Sequence, residues 1–266
     1  MTAAADTPSA GPDTPLSRTA ASRATEAIGW RLLLGTLCAS VPVDSLARAV
    51  QVAETAVAAC GQDADGHLRM DVRPDRVELS LQDRSIATVT GRDTDLAHAV
   101  TAELAGIGAA VAPTVTSDAN PRPVQMLELA IDALDIPAIR PFWKAVLGLA
   151  AEAGDDGPKS PLVDPAGQLP AIWFQQMDAP RPQRNRIHFD MAVAHDEADQ
   201  RIAAALAAGG HLVSDAEARA FWVLADAEGN EVCICTWQDR DERQAARAAE
   251  RAAAEAERGA DSAVSP

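Results

Sequence analysis

The stretch from Pro113 to Pro123, PTVTSDANPRP, constrains this chain more than any other feature. Proline, serine, threonine, aspartate and asparagine at this density break helices and strands alike. The 266 residues are therefore split into two regions, each the size of one small domain. Hydrophobic residues make up 47% of the chain, enough for a core in each region. Aromatics are 3% and tyrosine is absent, so Ala, Val and Leu must fill most of the interior.

Charge narrows the function classes. The formal net charge is −16, which argues against binding to a phosphate backbone and against docking on an anionic membrane. No apolar run approaches the roughly 18–20 residues of a membrane span. The N-terminal residues lack the basic start and apolar core of a secretory signal. Cys38, Cys60, Cys233 and Cys235 lie in apolar surroundings without metal-site spacing. They read as buried reduced thiols, and the expected location is cytoplasmic.

Five segments are expected along the chain. Residues 1–25 read as a disordered leader, 26–112 as a first domain, 113–123 as the linker, 124–237 as a second domain, and 238–266 as an Ala/Glu/Arg helical tail with a disordered end. In the first domain, Val43 to Cys60 has Leu46, Val50, Ala53 and Val57 at helical spacing. Leu68 to Val72 and Val77 to Leu81 alternate as strands, with Arg73–Arg76 as the turn. Ile86 to Val89 is a third expected strand, and Thr94 to Leu104 a helix. In the second domain, strands are expected at 126–131, 169–175, 186–193, 221–225 and 231–236, and helices at 136–147 and 197–208. Strand, helix, strands occurs twice, the sign of an internal duplication.

Three passages of the second region carry a resemblance: ELAIDALDIPAIRPFWKAVLGL (128–149), RNRIHFDMAV (184–193) and LADAEGNEVCI (224–234). Together they resemble the glyoxalase-like branch of the vicinal oxygen chelate superfamily. That resemblance implies two βαβββ modules whose curled sheets share a cavity. In metal-dependent members, four positions in the cavity hold a divalent ion that polarises substrate oxygens. Here those positions fall on Glu128, Gln175, His188 and Cys233. Gln175 is a weak donor and Cys233 a soft one, so the resemblance implies a small-molecule cavity without metal or other cofactor. Asp190 shares the strand face of His188 and Arg186, so an Arg186 ion pair or His188–Asp190 proton transfer follows. All four phenylalanines and four of the five tryptophans lie in this half, which suits walls for an apolar ligand.

The first region, through GWRLLLGTLCASVPVDSLARAVQVAETAVAAC (29–60), GHLRMDVRPDRVELSLQD (66–83) and VTGRDTDLAHAV (89–100), resembles pterin-4a-carbinolamine dehydratase. That family carries His-His-Pro in the turn after its helix and a further histidine after its second strand. They handle the protons as a 4a-hydroxyl leaves a tetrahydropterin as water. Here the positions fall on Gly66, His67 and Leu68, and on about Arg84, so His67 alone survives. Asp65, Asp71 or Asp83 are the available substitutes.

The expected architecture is thus α+β in two domains: a small dehydratase-like helix and antiparallel-sheet domain, then a glyoxalase-like paired βαβββ domain. The expected activity is a 4a-hydroxytetrahydrobiopterin dehydratase-like hydro-lyase with catalytic His67. It is fused to a ligand-binding cavity formed by Glu128, Gln175, Arg186, His188, Asp190 and Cys233. Two alternatives stand beside it: an inactive scaffold with a metal-free cavity, and a metal-dependent lyase or dioxygenase. The expected partners are a small molecule, a pterin among the candidates, and further copies of the chain.

Overall fold

The computed structural model describes residues 11–115, 122–180 and 187–240, together with 242, 245, 246 and 249. It divides into two compact units. The first takes in the chain to Leu127 and the short stretch Glu152–Asp156, and the second runs from Glu128 to Ala151 and from Gly157 onward.

The first unit begins with helix α1, Arg18–Thr25, capped by the Ser17 hydroxyl. Ala21 and Thr25 of this helix are buried, so an unstructured leader does not extend to residue 25. Strands β1 (Arg31–Leu33) and β2 (Thr36–Pro42) form a hairpin that sequence reasoning missed. Its two turn residues, Leu34 and Gly35, both have positive φ, the geometry that a tight hairpin demands. The run LLLG has no alternation to mark a strand, because the signal there is the turn and not the periodicity.

Helix α2 (Leu46–Cys60) follows, capped by Ser45. The short α3 (Ala64–His67) leads into β3 (Leu68–Val72) and β4 (Arg76–Leu81). Helix α4 (Gly91–Gly106) closes the unit. The sheet order is β1-β2-β4-β3, antiparallel throughout. Leu37, Ala39 and Val41 of β2 and Val77, Leu79 and Leu81 of β4 are buried in the core. So are Ala49, Val52 and Ala56 of α2 and Leu96, Ala97, Val100 and Leu104 of α4.

The strand expected at 86–89 is corrected here. Residues 86–89 form no strand: a turn with Ala87 at positive φ is held by a single bridge between Asp83 and Thr88. In α2 the buried stripe is Ala49, Val52, Ala56 and Cys60, while Leu46, Val50 and Val57 are exposed. At the two ends of the 113–123 segment, β5 (Thr114–Val115) pairs with β6 (Arg122–Pro123).

The second unit holds the same arrangement twice. Strand β7 (Glu128–Ala133), helix α5 (Ile136–Leu147), then β8 (Ala150–Ala151), β9 (Leu162–Val163) and β10 (Ala171–Gln176) give the order β7-β10-β9-β8. Strand β11 (Phe189–Ala192), helix α6 (Ala198–Ala207), then β12 (His211–Ser214), β13 (Phe221–Ala225) and β14 (Glu231–Cys235) give β11-β14-β13-β12. In each module the first and fourth strands pair in parallel. The two-residue strands β8 and β9 carry too few residues for a periodic signal.

One core serves both modules. Ile131, Ile139, Phe142, Trp143 and Val146 pack in the same cluster as Leu224, Val232 and Ile234. Gly210 permits close approach to helix α5, because a Cβ there would collide with the Phe142 ring. The aromatics are mostly core and not cavity wall: Trp143 meets Phe142 and Phe189 edge-on at 5.4 and 5.8 Å. The tail beyond Arg240 lies almost wholly outside the described residues.

Candidate functional site

The turn Asp226-Ala-Glu-Gly-Asn230 sets the second unit's site in place. The buried Asp226 carboxylate accepts from the amides of Glu228 and Asn230, from the Asn230 side chain at 2.8 Å and from Trp143 Nε1 at 2.9 Å. The Glu228 carboxylate accepts from the Leu134 and Asp135 amides of the other module. This turn therefore joins the two modules as well as launching β14.

Alternation then fixes the faces. Val232 and Ile234 point to the core, so Glu231, Cys233 and Cys235 point to the opposite face of the sheet. Asp190 is directly paired with Cys233, and His188 lies two residues earlier on the same face. His188 Nε2 stands 3.4 Å from Asp190 Oδ1, with the side chains 53% and 64% exposed. One ligand atom from each of His188, Asp190 and Cys233 falls within 4.8 Å of the others. Burial, and then the hydrogen bond to Asp190, push the Cys233 thiol up to about 12. Without a metal this thiol keeps its proton.

The first module does not supply the matching pair. Glu128 is paired with Ala171 and Gln175 with Asp132, four residues away along the ladder, or about 13 Å. In the β7–β10 register, the residue opposite Ala130 is Trp173. Ala130 stands two residues after Glu128, as Asp190 stands two after His188. Trp173, not Gln175, is thus the counterpart of Cys233. Glu128 and Gln175 are both exposed, and neither belongs to the His188 cluster. Arg186 lies outside the described residues.

Three donors of different chemistry, N, O and S, with no fourth ligand in the cluster among the described residues, match the pattern of a metal centre with an open position. A thiolate with an imidazole favours the borderline ions, zinc, cobalt or nickel, over magnesium or calcium.

The first unit holds a second histidine of interest. His67 Nδ1 donates to Asp93 Oδ1 at 2.7 Å, with side-chain exposures of 11% and 0%. The other Asp93 oxygen accepts from the Thr90 amide at 2.7 Å and the Thr90 hydroxyl at 2.8 Å. The capping box that starts α4 therefore also fixes the imidazole. His67 is not the solvent-facing turn residue that its sequence position allows.

Backbone pairing carries the register past the strands: Gln82 N donates to His67 O, and Arg84 N to Gly66 O at 3.2 Å. Gly66, His67 and Arg84 are thereby neighbours. Of the acidic substitutes, Asp65 is exposed and Asp71 is engaged by Arg73 on the surface. Asp83 is held below the usual carboxylate range by Ser85, with a smaller contribution from the His67 ring. Asp93, which sequence reasoning did not assign to the site, is the residue that fixes His67. Its signal was the Thr-x-x-Asp start of α4.

The glyoxalase-like domain family matches residues 128–235. A comparison with curated proteins gives no match. Among solved structures, a glyoxalase/bleomycin resistance protein/dioxygenase family enzyme from Burkholderia phytofirmans PsJN is 21% identical over 41% of this chain and 95% of its own, with a TM-score of 0.35. A fosfomycin resistance protein from Mesorhizobium loti is 10% identical over 45% and 96%, TM-score 0.34. A glyoxalase/dioxygenase from Nostoc punctiforme is 15% identical over 46% and 95%, TM-score 0.34. The match to the glyoxalase-like domain family, residues 128–235, coincides with the doubled strand order of the second unit.

Proposed function

We propose that the second unit binds a divalent metal through His188, Asp190 and Cys233 and acts on a small oxygen-bearing substrate as a metal-dependent lyase or dioxygenase. The observation that carries this reading is the convergence of the three ligand atoms within 4.8 Å on the open face of the sheet. A bound divalent ion would supply Lewis-acid polarisation of substrate oxygens.

The chain's own groups do the rest. His188 offers an imidazole nitrogen from the exposed position just before β11. Asp190 accepts a hydrogen bond from the Cys233 thiol, so it stands where that proton would be passed on when the thiol becomes a ligand. Exposure of His188 and Asp190 leaves a side from which substrate can reach the site. The His188 cluster is thus assigned a metal role in place of the metal-free one expected from the donor types alone.

The test is calorimetric titration of the metal-stripped protein with zinc. A single site is expected, weakened at least about 100-fold in each of His188→Ala, Asp190→Ala and Cys233→Ala. No binding by the parent protein, or equal binding by all three variants, contradicts the assignment and leaves a metal-free ligand cavity.

A second reading belongs to the first unit and rests on the His67–Asp93 pair: a pterin-4a-carbinolamine dehydratase-like hydro-lyase. Asp93 holds Nδ1, so any proton exchanged with a pterin passes through Nε2 of His67. Dehydration of a tetrahydropterin 4a-carbinolamine should be accelerated and should fall by about 10²–10⁴ in His67→Ala. A parent rate equal to the uncatalysed one removes this reading and leaves the unit a scaffold.

A further inference from the structure

Ahead of helix α1, residues 11–16 run across the start of α4. Leu16 N donates to Val89 O at 2.9 Å, and Pro15 forms a bridge with Thr90. Arg92 N donates to Pro12 O at 2.7 Å, and Arg92 Nε donates to Asp13 Oδ1 at 2.7 Å. The contact is built into α4 through Gly91, the first residue of that helix. Its φ lies outside the left-handed region, so the backbone there does not require glycine. Pro12 does: a Cβ at Gly91 would stand 3.2 Å from the Pro12 oxygen and 3.4 Å from its Cα.

The same segment flanks His67. Arg92 Nη1 reaches Asp63 Oδ2 at 2.8 Å, just before α3, and α3 ends on His67. Arg92 thereby ties residues 11–16 to both elements that hold the imidazole. Its guanidinium keeps the Asp13 carboxyl below the usual carboxylate range, and the His67 ring adds a smaller pull, so Asp13 stands close to that ring. The His67 side chain is 11% exposed, and Asp93 accounts for its Nδ1. The attachment of the segment is light. Residues 11–15 are exposed and include no large apolar side chain, and the first one that packs on the core is Leu16. An ion pair as exposed as Asp13–Arg92 contributes little to holding the segment down.

We propose that residues 11–16 are a strap that closes over Nε2 of His67, so that a ligand reaches the ring only when the strap lifts from α4. Leu16 is its hinge end, and Pro12 and Asp13 are its latch on Gly91 and Arg92. Segments with few buried contacts open locally at low cost while the core stays folded. The proposal is independent of the metal reading and holds with or without dehydratase activity, because it concerns access to the imidazole.

The test is the rate at which diethyl pyrocarbonate modifies His67 in the full chain, read by peptide mass spectrometry with the exposed His211 as internal reference. In the parent protein His67 should react about tenfold or more slower than His211. Gly91→Ala adds the Cβ that Pro12 excludes, changes no charge and suits a helix. It should raise the His67 rate about fivefold or more and leave His211 unmoved. Asp13→Asn unties the latch from the other side, without altering α4, and should raise the rate in the same direction. A parent His67 that reacts as fast as His211 overturns the proposal, and so does a His67 rate unmoved by both variants. An increase accompanied by faster amide exchange along α4 assigns the exposure to loss of the helix start and also overturns it.

Discussion

The two units each bring a histidine to an aspartate, and the two pairs are built to opposite specifications. His67 and Asp93 meet at 2.7 Å with the carboxylate fully buried and its second oxygen taken up by Thr90. His188 and Asp190 stand 3.4 Å apart with both side chains more than half exposed, beside a thiol. The first pair is locked into a helix cap, so a metal could enter only by dismantling the start of α4. The second has no such duty, and its donors can turn to a ligand without loss of core packing. A His–Asp pair is thus not one kind of site. What else the aspartate holds decides whether the imidazole is a fixed proton carrier or an available ligand.

That contrast is most strongly tested by removing each aspartate. Asp93→Ala deletes the carboxylate half of the α4 capping box, with its two hydrogen bonds from Thr90, and the partner of the largely buried His67 ring. The first unit should lose about 3 kcal/mol in urea unfolding. A loss under about 1 kcal/mol would show that the pair is not structural.

The next effect is on metal affinity with pH. Because burial raises the Cys233 thiol to about 12, its proton is still bound at neutral pH and must leave when a metal enters. Zinc affinity should therefore rise with pH, about tenfold per unit between pH 7 and 9, and each mole bound should release a proton. A flat profile, or no proton release in calorimetry run in buffers of different ionisation enthalpy, would remove Cys233 from the ligand set.

The smallest expected effect is the stability of Asp190→Ala, within about 0.5 kcal/mol of the parent protein. A change as large as that of Asp93→Ala would mean that the exposed pair is also part of the fold's support.

Much of the second unit was legible in its residues. Asp226-Ala-Glu-Gly-Asn230 is a turn in the structure, and the strand it launches sets Cys233 beside Asp190. His188 and Asp190 followed from the two-residue period of a strand. Gln175 was misplaced because nothing in the local sequence of β10 fixes its register against β7, and a two-residue shift preserves the face while moving the position. In the first unit His67 was legible as a turn histidine. Its burial was not, because that comes from Asp93, 26 residues away in the chain. The hairpin of β1 and β2 was hidden in a continuous apolar run. The α2 stripe is legible as apolar, but its exposure is not, since periodicity gives a stripe and not what covers it.

The central claim is that the open pair, with its thiol, is a metal site and the locked pair is not. Titration of the metal-stripped chain with cobalt(II), followed by absorption, tests it most directly, because only a thiolate bound to the ion gives the intense sulfur-to-metal charge-transfer band. One equivalent of cobalt should raise that band in the parent protein and in His67→Ala, and Cys233→Ser should abolish it. A band that survives in Cys233→Ser, or no band at all, would contradict the account.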